Sequence, residues 1–306
     1  VTGHSTFGRI WQSDIIWSLR TQPAVLLAAI TSLLFVLAAV LAPWIAPQNP
    51  FDIATIDLMD AFTPPAWTAQ GNARFLLGAD HQGRDMLSAI MYGARISLVV
   101  GLGSVAFAAS LGVTLGLIAG YFGGLVDAVI MRAADVQLTF PAILVALLFD
   151  GAMRAVFGRE HSEALALIVL VFAIGLSKWV EYARVVRGSV LVERNKEYVL
   201  AARLIGRGSA GILWRHILPN VLGPVLVIGT INLAIAILTE ATLSFLGVGM
   251  PPTQPSLGTL IRIGNDFLMS GEWWITLFPG IALAGLIVAI NVLGDWLRDI
   301  LNPKLK

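Results

Sequence analysis

An all-α membrane protein with six transmembrane helices is the fold class this sequence predicts. Three observations predict it. Of 306 residues, 57% are hydrophobic and 13% are charged, against about a quarter charged in a soluble domain. Mean hydropathy is +0.81. Uncharged apolar runs of about twenty residues, the length that crosses a bilayer, recur along the chain. The net charge of +1 supplies no field to recruit nucleic acid. With no cysteine, disulfides, thiolate catalysis and cysteine metal sites are excluded.

Residues 1–23 form a mixed segment with Trp11 and Trp17 among polar neighbours. No short apolar stretch with a small-residue cleavage site stands there, so the first apolar run is expected to be a retained helix. That run, 24–42, has Thr31 and Ser32 as its polar members and is closed by Pro43 and Pro47. Nineteen residues make about 28 Å of helix, enough to span.

Residues 43–95 are the longest polar interval and are expected to be an external loop. Pro43, Pro47, Pro50, Pro64 and Pro65 make its first half irregular. From about Arg84 it turns helical. Met86, Leu87, Ile90, Met91 and Ala94 share one face, and Arg84, Asp85, Ser88, Tyr92 and Arg95 the other, as in a helix lying on the membrane surface. The second span, 96–119, is uncharged. Ser104, Ala108, Gly112, Gly116 and Gly120 recur every four residues, a stripe that lets another helix approach closely.

The third span is expected over 128–148 with Pro141 inside it, and the fourth over 164–182 with Lys178 and Glu181 near its end. Arg132 and Asp135, three residues apart, are candidates to pair with each other or with a partner subunit. The fifth span runs over 221–246, with Asn232 near its middle and Glu240 toward its far end. Trp273 and Trp274 mark an interface before the sixth span, 273–293.

Six spans put both termini on one side. With cytoplasmic termini, the inside segments carry 12 Lys and Arg and the outside segments 6, so the positive-inside rule favours that orientation. The weight comes from 183–220, where Arg184, Arg187, Arg194, Lys196, Arg203, Arg207 and Arg215 lie. Within it, Glu197–Ile205 has a helical pattern with Tyr198, Ala201, Ala202 and Ile205 on one face. Gly206 and Gly208 interrupt it, Ser209 is placed to cap a second short helix, and Pro219 ends that helix and starts the fifth span. Two short helices joined at a glycine bend make a knob tied to two spans, suited to dock in a groove of another protein.

The run A-A-x-x-x-G from Ala201 to Gly206, with Leu218-Pro219 thirteen residues beyond, resembles the "EAA" loop of permease subunits of ATP-binding-cassette importers. Leu200 stands where that family has Glu, and His216 where Ile is expected, with Ile217 displaced by one. G-A-D-H-Q-G-R-D-M-L-S-A-I-M-Y-G-A-R, G-L-I-A-G-Y-F-G-G-L-V-D-A-V-I-M-R, L-S-F-L-G-V-G-M-P-P and the terminal N-V-L-G-D-W-L-R-D-I-L-N-P-K-L-K are similar to the C-type subunit of dipeptide and oligopeptide permeases. P-P-A-W at 64–67 and S-V-L-V-E-R-N-K-E-Y-V at 189–199 point to the dipeptide branch. The resemblance covers residues 20–306.

It implies a type I importer permease fold in a bacterial inner membrane. The implied partners are a homologous second permease forming the other half of the pore, two ATPase subunits beneath, and an extracytoplasmic peptide-binding protein. ATP and Mg would act in the ATPases. This chain has no G-x-x-x-x-G-K-[ST] loop and is expected to be a transport subunit, not an enzyme. The coupling residues implied are Leu200, Ala201, Ala202, Arg203, Gly206, Arg207, Ser209, Ile212 and Pro219. Asn232 and Glu240 are candidates for the translocation path, because intramembrane polar groups are functional by default. Asp80, His81 and Asp85 are weighed as a metal site and set aside, since the motif they occupy varies at the His. Glutathione or nickel chelates are alternative cargoes on the same fold. A stand-alone secondary transporter would need mid-membrane coupling carboxylates and often inverted repeats. Spans one, two and six have no interior charge, and no repeat is apparent.

Overall fold

The computed structural model describes residues 22–157 and 163–301. The N-terminal segment with Arg9 and Arg20, Arg159, and Lys304 and Lys306 lie outside the described residues. Ten α-helices follow one another among the described residues. They are α1 Pro23–Ile45, α2 Met86–Phe122, α3 Gly124–Thr139, α4 Ala142–Phe157, α5 Glu163–Glu193, α6 Glu197–Leu204, α7 Ser209–Ile212, α8 Leu218–Phe245, α9 Leu257–Phe267 and α10 Trp274–Leu301. A π-helical turn, Leu213–Ile217, joins α7 to α8. No β-strand occurs among the described residues. Five helical stretches are long and apolar enough to cross a membrane, and six do so if α3 and α4 together count as one span.

Three spans depart from the sequence expectation. The third is not one helix over 128–148: it breaks at Phe140, and α3 and the helix after it are bent by 96°. Pro141 explains the break, since the residue before a proline is pushed out of the α region, and Phe140 is extended (φ −96°, ψ 129°). α5 does not stop at Tyr182 but runs on to Glu193, so Arg184 and Arg187 belong to a helix rather than to a loop. α2 begins at Met86 and has no surface helix ahead of it. At its start the polar residues are buried as well as Met86 and Ile90 of the apolar face. Asp85 caps the helix, accepting from the Ser88 amide at 2.8 Å, and Arg84, Asp85 and Ser88 are all buried under the external segment. There Arg84 pairs with Asp80 at 2.6 Å, and Trp274 Nε1 donates to the Ala79 carbonyl at 3.0 Å.

α2 and α5 form the spine. A Cβ added to Gly112 would lie 2.3 Å from the Trp179 carbonyl oxygen, and one on Gly116 2.6 Å from that of Ala183. At Gly112 and Gly116 the stripe is therefore a backbone contact that nothing larger than glycine permits. Arg187 Nη2 donates to Asp127 at 2.6 Å and Arg184 to Asp135 at 2.6 Å, tying α5 to α3. Asp135 thus pairs with Arg184 rather than with Arg132.

Candidate functional site

The segment between α5 and α8 is a small knob held by three sets of contacts. Its inner face is apolar. Val199, Ala202, Ile212, Leu213 and Ile217 are buried in one cluster with Leu117 of α2, Val186 and Val190 of α5, and Val221 and Val225 of α8. Its polar contacts are equally specific. Glu193, the last residue of α5, accepts from Lys196 at 2.7 Å and from the Tyr198 hydroxyl at 2.5 Å. Asn220 in the first turn of α8 donates to the same hydroxyl at 3.3 Å and to the His216 carbonyl at 2.7 Å. Burial first, and the bond to Glu193 second, push the Tyr198 hydroxyl up to about 12, so it remains a donor at neutral pH. Arg194 donates to the Gly120 carbonyl at 2.9 Å, and the Arg203 guanidinium sits 4.9 Å from the Tyr121 ring centre, fastening the knob to the end of α2.

The bend is a Schellman turn. Gly206 takes φ +77°, its amide donates to the Arg203 carbonyl, and the Arg207 amide donates to that of Ala202 at 3.1 Å. A Cβ at Gly206 would meet nothing within 4 Å, so its demand for glycine is purely conformational.

The apolar face expected on α6 is turned. Val199 and Ala202 face the bundle, whereas Ala201 and Ile205 are exposed, together with Leu200 and with Leu204 at 88%. Eight residues make only two turns, too few for periodicity to select a face, and both faces here are apolar. Ser209 is the first residue of α7 and does not cap it. The N-cap is Gly208, with no side-chain hydrogen bond. Pro219 does not end a helix either, because Ser209–Phe245 is one continuous helical stretch. The π-turn is the reason. Pro219 has no amide to offer the Arg215 carbonyl and its ring would clash there, and the wider turn just before it relieves both. Arg207 and Arg215 are exposed, flanking the outward apolar face.

The two candidate path residues differ. Glu240 is fully buried where α2, α8 and α9 meet. Its carboxylate accepts from Ser244 at 2.6 Å and from Ser97 at 2.8 Å, and the Ser97 hydroxyl in turn accepts from the Leu257 amide at 3.4 Å. In this conformation Glu240 joins three elements and meets no open path. Asn232 is buried between α5 and α8, and neither of its amide atoms has a hydrogen-bond partner.

Residues 112–306 match the model of the binding-protein-dependent transport system inner membrane component, and residues 10–65 that of the N-terminal TM domain of oligopeptide transport permease C. The chain belongs to this family of transport permeases. It is 40% identical over 274 residues to the di/tripeptide transport system permease protein DppC of Pseudomonas aeruginosa, covering 90% of this chain and 86% of that one. The dipeptide transport system permease protein DppC of Escherichia coli K12 is 43% identical over 269 residues, 88% of this chain and 85% of the relative. In structure the chain resembles the MetNI methionine ABC transporter in inward-facing conformations, with a TM-score of 0.55 at 18% identity over 71% of this chain and 98% of that one. That likeness shows the fold, a type I importer permease. The outward face of Leu200, Ala201, Leu204 and Ile205 is the feature periodicity alone misassigned.

Proposed function

We propose that this chain is half of the pore of an ATP-driven importer that moves di- and oligopeptides into the cytoplasm, and that α6–α7 is the surface its ATPase partner moves. The observation that carries the coupling role is the knob's two-sidedness. One face is locked to α2, α5 and α8 by burial and by Glu193, Tyr198 and Asn220. The other exposes Leu200, Leu204 and Ile205 between Arg203, Arg207 and Arg215. A cluster of large apolar side chains on a charged cytoplasmic surface is the mark of a protein interface, and an element this firmly tied to two spans transmits what is done to it. The names of the relatives support peptide as cargo. The termini lie in the cytoplasm, a second homologous permease completes the pore, and an extracytoplasmic binding protein delivers the peptide. ATP and Mg act in two ATPase subunits.

The test is uptake. Proteoliposomes holding the complete complex, with binding protein outside and ATP inside, are expected to accumulate labelled dialanine. Accumulation that is absent, or that persists without ATP, overturns this reading.

A further inference from the structure

Ser104 is the middle residue of the 37 in α2, Lys178 the middle residue of the 31 in α5, and Asn232 lies at the middle of the 28 in α8. These three converge with Tyr182 where the three helices meet, around a gap too small to hold a water. The Ser104 hydroxyl is buried there without a protein partner, and the Tyr182 hydroxyl and the Asn232 amide are buried beside each other without a well-formed hydrogen bond. Orphaned polar groups at one depth of an apolar bundle are costly, and intramembrane polar residues mark substrate pathways by default.

Asn232 also lines a second, open cavity of about 390 Å³ on the outside of α5 and α8, with Glu181, Arg184, Val185, Ile228 and Ile231. Glu181 and Arg184 are 42% and 49% exposed here, beside Asp135 at 52%. A charge turned to hydrocarbon near the centre of a span costs about 2.5–3.5 kcal/mol, so this face meets water or protein rather than lipid. One acid and one base stand a helical turn apart, with Cβ atoms about 5–6 Å from each other. An apolar wall of Val185, Ile228 and Ile231 lies beside them. A dipeptide's charged ends lie about 7 Å apart in an extended chain.

We propose that this mid-depth cavity is a transit subsite for the zwitterionic main chain of a short peptide. Glu181 takes the α-ammonium and Arg184 takes the α-carboxylate. In its absence Glu181 is paired with Lys178 at 2.8 Å and Arg184 with Asp135 at 2.6 Å, so the empty subsite holds no bare charge. Main-chain recognition leaves side chains unread, as a path serving many sequences requires. The subsite rests on the peptide-importer reading.

The chain has no cysteine, so Ile228→Cys gives it a single thiol in the cavity. In the complete complex in nanodiscs, with partner subunits stripped of accessible thiols, a water-soluble maleimide is expected to modify this variant during turnover. Millimolar dialanine should slow that modification at least fivefold, and sucrose at the same concentration should not. Glu181→Gln is expected to lower dialanine uptake about tenfold. Should that variant fail to accumulate, the labelling result decides alone. Uptake by the unsubstituted complex is measured alongside. If it takes up no dialanine, the importer reading itself fails. If it does, and Ile228→Cys is inert to maleimide or unprotected by peptide, or Glu181→Gln transports normally, the subsite is overturned and the importer reading stands.

Discussion

Gly206→Val is expected to leave the subunit inserted and assembled while peptide uptake falls to less than a tenth and ATP hydrolysis continues. The reason is local. Gly206 has φ +77°, a region that costs a non-glycine residue about 1–3 kcal/mol and is worst for a β-branched one. Nothing lies within 4 Å of a Cβ there, so the valine side chain clashes with no neighbour. The turn relaxes instead, which re-aims α6 against α7 and displaces Leu204 and Ile205. The bundle beneath, held by Val199, Ala202 and Ile217, is unaffected. Gly206→Asn, which tolerates the left-handed region, is expected to restore most uptake. Transport and hydrolysis rates in proteoliposomes, normalised to subunit content, check both variants.

Gly112→Leu is expected to act on the opposite end of the account, by removing the folded subunit altogether. Its Cβ would fall 2.3 Å from the Trp179 carbonyl oxygen and 2.6 Å from the Tyr182 Cβ. The obstacle is the backbone of α5 packed directly on α2, so no rotamer change relieves it. Overpacking in a rigid core costs about 1–3 kcal/mol or more, and here it also separates α5 from α2 over several turns. Membrane content of the variant, measured by quantitative immunoblot, is expected below a tenth of the parent, whereas Gly188→Leu, where a Cβ meets nothing within 4 Å, is expected to accumulate normally.

The two variants separate what the sequence carries plainly from what it does not. Spans with long uncharged runs, such as α1 and the membrane portion of α2, are legible because nothing but a bilayer or a core accepts them. The stripe through Gly112 and Gly116 is legible as a packing face, though its partner α5 is not, since a stripe does not name what meets it. The first turn of α2 misleads. Arg84, Asp85 and Ser88 look like a wetted face, yet Asp80 and the external segment bury them. The fourth span seems to end at Tyr182 because Lys178, Glu181 and Arg184 crowd there. The helix continues to Glu193 because Lys178 pairs with Glu181, Arg184 with Asp135 and Arg187 with Asp127. Moving that end to Glu193 turns Tyr182 from the last residue of a helix into a buried one well inside it. The mid-depth cluster of Ser104, Tyr182 and Asn232 is therefore invisible until three helices are set side by side. The knob is legible as a position, through its glycine bend and its proline, but its outward face is not. Leu200, Leu204 and Ile205 are apolar yet exposed, and a single sequence cannot separate such a face from a core.

That outward face is what the account depends on most, and it can be touched directly. Leu204 is 88% exposed in a chain without cysteine, so Leu204→Cys places one thiol at the centre of the knob. In the purified complex, a short homobifunctional thiol cross-linker is applied with single cysteines scanned along the surface groove of the ATPase partner. Leu204→Cys is predicted to form a cross-link with one groove position, at a yield that changes severalfold between the nucleotide-free and ATP-bound complex. A complex that transports but gives no Leu204→Cys cross-link to any groove position, or gives one whose yield ignores nucleotide, would contradict the claim that α6–α7 is the lever on which the motor acts.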